Sequence, residues 1–250
     1  MILVNWLNKI ASPQRFYLFC GKWTPWLSLL FFILLSLGLY GGLVTAPADY
    51  QQGDAFRIIY VHVPAAWMSL FIYIVMATNA VVAIIWRIKV AEVSIICCAH
   101  IGAYFTFLAL VTGSLWGKPM WGTWWTWDAR LTSELVLLFL YLGIIALYNA
   151  YEDKRSASRA IAILTLVGVI NIPIIHYSVV WWNTLHQGAT VSKFDKPSID
   201  TRMLIPLLEM GVAFSVYFFI SLFQRARNEI LQREFNSQWV KELVKEKSNA

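Results

Sequence analysis

The amino-acid sequence predicts an all-α integral membrane protein with six transmembrane helices. Hydrophobic residues make up 59% of the 250 residues and charged residues only 14%, whereas a soluble domain carries about 25% charged residues. Six apolar segments have roughly the ~20 residues that a helix needs to cross the hydrocarbon core. Because lipid offers no hydrogen-bond partners, each crossing segment must satisfy its own backbone groups as a helix.

The six predicted spans cover approximately residues 24–46, 60–86, 93–116, 132–150, 160–182 and 203–223. The first apolar run is much longer than the ~7–15 residues of a signal-peptide core, so we expect it to remain as a permanent span. The connections at 87–92 and 152–159 are short, while those on the opposite side are longer and rich in aromatic residues, Gly and Pro. Loops held on a rigid scaffold tend to carry binding residues, so we expect function on the side of the longer connections.

The distribution of Lys and Arg predicts the orientation of the spans. An even number of spans places both termini on one side, together with fourteen of the twenty basic residues. The other six lie on the opposite side, at Arg57, Lys118, Arg130, Lys193, Lys196 and Arg202. The positive-inside rule then predicts that both termini are cytoplasmic. The net charge of +6 is thereby explained by topology, and nucleic-acid binding is not expected.

The tail, residues 226–250, has its own pattern and is predicted to be separate from the six-span domain, residues 1–225. Leu231, Phe235, Trp239 and Leu243 recur at every fourth position among charged residues. This spacing predicts an amphipathic cytoplasmic helix. Such a helix would lie on the membrane surface or on another subunit.

The connection between the third and fourth spans, residues 116–131, is rich in tryptophan. Five tryptophans fall within twelve positions, at Trp116, Trp121, Trp124, Trp125 and Trp127. Interfacial tryptophans are normally scattered at span ends, but these fill one connection whose glycines allow tight bends. Two interpretations stay open, which are anchoring at the interface and binding of a large, flat, apolar ligand.

Four histidines are candidates for ligand binding. His62 begins span two and His186 follows span five, so both are expected at the depth of the tryptophan-rich connection. Neutral imidazole is a common ligand of heme iron, although a lone histidine in a loop is usually just solvated. His100 is expected to be packed nearer the cytoplasmic side. His176 is predicted to pair with Glu209, because each lies about six residues from the outer end of its span and a lone carboxylate there is costly.

Three motifs carry a resemblance to a known family. They are Val-His-Val-Pro-Ala-Ala at residues 61–66, Trp-Gly-Thr-Trp-Trp-Thr-Trp-Asp at residues 121–128 and Trp-Trp-Asn-Thr-Leu-His-Gln-Gly at residues 181–188. In their order and in the number of spans they resemble the tryptophan-rich heme-handling family of cytochrome c maturation, and within it the small protein C branch. The resemblance covers the chain up to about residue 225.

The resemblance implies a function and a set of partners. Heme would be bound at the outer face by His62 and His186 as axial ligands, with the tryptophans of the motif, Trp121, Trp124, Trp125 and Trp127, against the ring and Asp128 at the end of the motif as a further site residue. The chain has no Cys-x-x-Cys-His motif, so heme b (iron protoporphyrin IX) would be held non-covalently. The chain would be a heme-delivery subunit and not an enzyme, in a bacterial inner membrane with the heme site facing the periplasm. Its implied partners are a membrane-anchored heme chaperone, the membrane and ATPase subunits of an ABC transporter, a small single-span protein and the lipid bilayer.

Basic residues near the predicted site could hold the two heme propionates. Arg57, Lys118 and Arg130 flank it, and Arg130 is the strongest candidate because it follows the tryptophan-rich motif directly. An Arg side chain offers two parallel donors to a carboxylate. Asp128 could orient Arg130 or a histidine N–H, or it could cap the start of span four.

Other functional classes make different demands on the sequence. A b-type electron-transfer cytochrome would favour histidine pairs buried within spans. A stand-alone transmembrane heme transporter would favour broken helices around a midplane site, and the chain has no Walker motif to supply energy. An enzyme is not indicated either, because no Ser–His–Asp arrangement is recognisable in the sequence.

Overall fold

The computed structural model describes residues 11–188, 191 and 196–248. Lys9 and Lys193, which entered the count of basic residues, lie outside this range. The prediction of six helices long and apolar enough to span a membrane is confirmed. They extend over Pro13–Thr45, Asp54–Trp86, Lys89–Trp121, Ala129–Ala150, Lys154–Trp181 and Thr201–Arg233.

The spans are built from seven α-helices and two short helical turns. Helix α1 (Pro13–Tyr40) continues into a π-helical turn (Gly41–Thr45), and a 3-10 turn (Asp54–Ile58) leads into α2 (Ile59–Trp86). The next two spans are α3 (Lys89–Trp121) and α4 (Ala129–Ala150). The fifth span is broken into α5 (Lys154–Gly168) and α6 (Asn171–Trp181), and the sixth is α7 (Thr201–Arg233). A final helix, α8 (Gln238–Ser248), follows.

Local sequence explains where several of these helices begin and end. Asp128, Asp153 and Asp200 are the N-cap residues of α4, α5 and α7, and each carboxylate accepts a hydrogen bond from a backbone N–H of the first turn. Such caps stabilise a helix by about 1 kcal/mol each. Helix α3 ends at Trp121 and is followed by the C-cap residue Gly122, whose φ of 74° is readily adopted only by glycine. Asp128 therefore takes the capping role that the sequence left open.

The spans pack around α3, which is the most enclosed of them, while α1 is the most exposed. Helix α2 lies along α3, and α1 lies along α7. Hydrogen bonds from side chain to backbone join the inner spans: Tyr141 O–H donates to the carbonyl of Ser69 at 2.7 Å, and Tyr73 O–H donates to that of Thr165 at 3.1 Å. Tyr73 reaches α5 because Gly168 has no side chain. A Cβ at Gly168 would lie only 2.0 Å from the hydroxyl oxygen of Tyr73. These contacts fix α2 relative to α4 and α5.

The predicted tail, residues 226–250, contains the end of α7 and a further helix. Helix α7 continues to Arg233, where the guanidinium pairs with Glu229 at 2.8 Å and with Glu92 of α3 at 3.7 Å. Helix α8 returns toward the start of the chain, where the Trp239 ring lies 5.6 Å from the ring of Tyr17. The separation of a 1–225 domain from a 226–250 tail stays a prediction.

Candidate functional site

A pocket that is partly open to solvent, with about 780 Å³ of empty space including its open mouth, lies between the ends of α2, α3 and α4 and the connection that follows α6. Helix α3 contributes one wall through Ala109, Gly113 and Gly117, which recur every fourth residue and leave room beside the helix. Four of the predicted site residues line the pocket: His62, Trp121, Arg130 and His186.

His62 projects from α2 and is held against α3. Its Nδ1 lies 3.0 Å from the carbonyl oxygen of Ala109 and 3.1 Å from Oγ1 of Thr112. A carbonyl oxygen only accepts hydrogen bonds, so Nδ1 carries the proton and Nε2 keeps its lone pair. The ring fits against α3 because Gly113 lacks a side chain, since a Cβ there would lie 2.9 Å from Cε1 of His62.

His186 lies in the non-helical connection after α6. Its Nδ1 is 2.9 Å from the carbonyl oxygen of Gln187, which again assigns the proton to Nδ1 and leaves Nε2 free. Burial lowers the pKa of His186 below its ordinary value, and the positive charge of Arg130 lowers it further. The imidazole is therefore kept neutral, which is the form that binds metals.

The two imidazoles both line the pocket and lie close together. Their ring centroids are 6.4 Å apart and their planes are inclined by 38°. Two imidazoles on opposite sides of one metal ion have centroids about 6 Å apart, because each metal–nitrogen bond is about 2 Å and each centroid lies about 1 Å behind its nitrogen. The spacing of His62 and His186 therefore fits a metal ion between them.

Two tryptophans stand beside these histidines. The Trp116 ring lies 5.6 Å from the ring of His62, and the Trp121 ring lies 6.3 Å from that of His186. The Trp116 N–H donates to Oε1 of Gln52 at 2.8 Å, which fixes the orientation of this indole. Both tryptophans belong to α3, because the helix continues through the first part of segment 116–131 and the irregular connection begins only at Gly122.

The remaining tryptophans of the motif are not part of the pocket lining. Trp124 is 54% exposed and Trp127 is 77% exposed. Trp125 packs edge-on against Trp127, with ring centroids 5.5 Å apart, and its N–H has no hydrogen-bond partner among the described residues. The motif therefore divides into pocket-lining indoles on α3 and an apolar surface outside the pocket.

The charged candidates also separate in space. Arg130 lines the pocket and donates to the carbonyl oxygen of Ile175 at 2.7 Å, but it has no carboxylate partner in the described part of the chain. Arg57 instead pairs with Asp54 at 2.9 Å and donates to the carbonyl of Gly42. Lys118 donates to the carbonyl of Gly122 at 3.0 Å. Neither Arg57 nor Lys118 lines the pocket.

Sequence reasoning missed one charged residue of the pocket. Glu134 lies on α4 one turn after Arg130, it is 6% exposed, and Ser69 Oγ donates to its Oε1 at 2.7 Å. The signal that could have found it is an acidic residue within a predicted span, because such residues are rare and usually functional.

The predicted pair between His176 and Glu209 is wrong. The two side chains are not within ion-pair distance, and His176 is exposed, with its ring 4.8 Å from that of Tyr177. Glu209 instead lies near Gly41, in the π-helical turn that follows α1. His100 is bonded to the carbonyl of Ile96 on its own helix at 2.9 Å and does not line the pocket.

Comparisons with known proteins agree on one family. The model of the heme exporter protein C family matches residues 6–241. The chain is 52% identical to heme exporter protein C of Haemophilus influenzae, over 96% of this chain and 98% of the relative. It is 53% identical to heme exporter protein C of Escherichia coli K12, over 95% and 96% of the two chains. It is also 47% identical to a ccmC-like mitochondrial protein of Arabidopsis thaliana named for cytochrome c biosynthesis, over 80% and 73%. The chain therefore belongs to the heme exporter protein C family.

Proposed function

We propose that the pocket binds heme as a cargo, through His62 and His186 as axial ligands, and delivers it for the biogenesis of c-type cytochromes. The observation that carries this proposal is the relation between the two imidazoles. Their centroids are 6.4 Å apart, and each Nδ1 is bonded to a backbone carbonyl, so that both Nε2 atoms are available. Backbone partners of this kind fix the tautomer and orientation of metal-binding histidines.

The number of ligands favours heme over a bare metal ion. Two imidazoles supply only half of the four ligands that zinc takes in proteins. Within the described residues, no group of three or more His, Cys, Asp or Glu side chains could hold a metal ion. A heme iron already has four porphyrin nitrogens and needs only two axial ligands.

The remaining lining residues suit the two chemically different parts of heme. Trp116 and Trp121 offer aromatic surface to the macrocycle, worth about 0.5–1.5 kcal/mol per aromatic pair beyond burial. Arg130, which has no carboxylate partner in the described chain, would bind a propionate by charge-assisted hydrogen bonds. Asp128 supports this side of the site as the N-cap of α4.

Delivery requires that a partner reach the bound heme. Trp124, Trp125 and Trp127 lie outside the pocket on the connection between α3 and α4, and the most exposed of them presents 77% of its surface. We assign this apolar surface to docking of a membrane-anchored heme chaperone, in keeping with the names of the relatives as heme exporters. The site would face the periplasm of a bacterial inner membrane, with both termini cytoplasmic. The chain would work as a non-enzymatic subunit beside the membrane and ATPase subunits of an ABC transporter and a small single-span protein.

The absorption spectrum of the protein purified from membranes, with and without its chaperone, tests this function. Two axial imidazoles should give the spectrum of a six-coordinate low-spin heme, and the chaperone should change the amount of heme that the protein retains. Protein that binds no heme, or whose heme lacks this spectrum, would contradict the proposal.

A further inference from the structure

We propose that the carboxylate of Glu134 is a counter-charge in the heme site, which lowers the reduction potential of the bound iron. This inference rests on the proposed function, because it concerns the same pocket. Glu134 acts through space on the iron, so it is distinct from the axial ligands and from Arg130.

The position of the carboxylate is fixed by buried neighbours. Ser69 is fully buried on α2, and its hydroxyl donates to Oε1 of Glu134 at 2.7 Å. Tyr141 in turn donates to the backbone carbonyl of Ser69 at 2.7 Å. Oε2 of Glu134 has no hydrogen-bond partner among the described residues, and it is not fully enclosed by protein atoms. Oε2 therefore faces the pocket that Glu134 lines.

No basic side chain in the described part of the chain lies within ion-pair distance of this carboxylate. A charged side chain within a span is costly, so a partner is expected. Arg130 lies one turn earlier on α4, but its guanidinium is not within ion-pair distance of Glu134 and donates to the carbonyl of Ile175. The pocket itself is the remaining place from which a positive charge can approach the carboxylate.

Heme with two neutral imidazole ligands supplies such a charge in one oxidation state only. The dianionic porphyrin leaves a net charge of about +1 on the ferric core and about zero on the ferrous core. A fixed negative charge in a water-poor pocket stabilises the charged core more than the neutral one. Glu134 thereby opposes the uptake of one electron by the ferric heme.

Redox titration of the heme-loaded protein tests the inference through its midpoint potential. Glu134→Gln keeps the shape of the side chain and removes its charge. We expect the variant to retain heme with the six-coordinate spectrum, while the equilibrium constant for one-electron reduction rises about tenfold, which is about 59 mV. Glu134→Met, also uncharged and of similar length, should give the same direction of change if the Gln variant does not accumulate.

Glu209→Gln is the matched control, because Glu209 is also an acidic residue within a span but lies near Gly41 and outside the pocket lining. Its potential should equal that of the parent protein. An unchanged potential in both Glu134 variants would overturn the inference and leave the proposed function intact. A parent protein without six-coordinate heme would instead contradict the proposed function itself.

Discussion

The imidazole rings of His62 and His186 lie 6.4 Å apart, and each donates its Nδ1–H to a backbone carbonyl. Their supports differ, since His62 is held between two helices and His186 belongs to a non-helical connection. The pocket is thus lined by one imidazole that is held against a neighbouring helix and by one imidazole in a loop.

Replacement of either histidine by alanine should remove one axial ligand. We expect His62→Ala and His186→Ala each to change the six-coordinate spectrum of the bound heme and to impair its transfer, with added imidazole restoring the spectrum. His176→Ala is the control, because His176 is exposed and outside the pocket. Unchanged six-coordinate spectra and full heme content in both single variants would contradict the ligand assignment.

A methyl group at Gly113 should displace His62 without harming the fold. The added Cβ would lie 2.9 Å from Cε1 of the imidazole, and axial ligation tolerates displacements of only about 0.5 Å. Gly113→Ala should therefore lower heme content several-fold in purified protein. Gly143→Ala is the matched control on α4, since no atom lies within 4 Å of its added Cβ. Equal heme content in the two variants would argue against the placement of His62.

Replacement of Arg130 should weaken heme retention more than replacement of Arg57 or Lys118, because only Arg130 lines the pocket. A hydrogen bond to a charged group contributes about 1.5–3 kcal/mol, so Arg130→Ala should raise the dissociation constant about tenfold or more. Heme titration of the three alanine variants measures this difference. Heme retention equal to that of the parent in Arg130→Ala would indicate that the propionates are held elsewhere.

Acidification should release His186 from the iron only below the usual histidine range. Protons compete with iron for Nε2, and the pKa of His186 is lowered by burial and by Arg130 from an ordinary value of about 6.5. The six-coordinate spectrum should therefore stay constant from about pH 8 to about pH 6.5 and change at lower pH. A spectral titration checks this, with His186→Ala as the control that lacks the step. A transition above about pH 6.5 would disagree with a buried, neutral imidazole.

Cysteine labelling in whole cells should show the orientation of the spans. Lys118 is exposed at the end of α3, and Lys154 is exposed at the start of α5 on the opposite side of the bundle. Lys118→Cys should react with a membrane-impermeant reagent from outside, and Lys154→Cys should react only after lysis. The native cysteines, Cys20, Cys97 and Cys98, are buried and provide a low background. The reverse pattern would invert the predicted topology.

The sequence by itself determined the number of spans, their order and the residue types of the site. Span prediction succeeds because hydropathy is summed along a local window, and helix formation in lipid is forced by backbone hydrogen bonding. The capping by Asp128 is similarly local, since it depends on a carboxylate and the backbone N–H of Leu131 three residues later. Motif residues pointed to His62, His186 and Arg130 without any knowledge of packing.

Only the tertiary structure decided which side chains face the pocket and which face outward. The tertiary structure places Trp116 and Glu134 in the lining of the pocket and leaves Trp124 and Trp127 outside it. It also separates His176 from Glu209, although equal depth along two spans had suggested a pair. Depth follows from counting residues, but the rotation of each helix about its axis depends on its neighbours. In a membrane both the packed and the lipid-facing sides are apolar, so the sequence carries little periodic signal from which that rotation could be read.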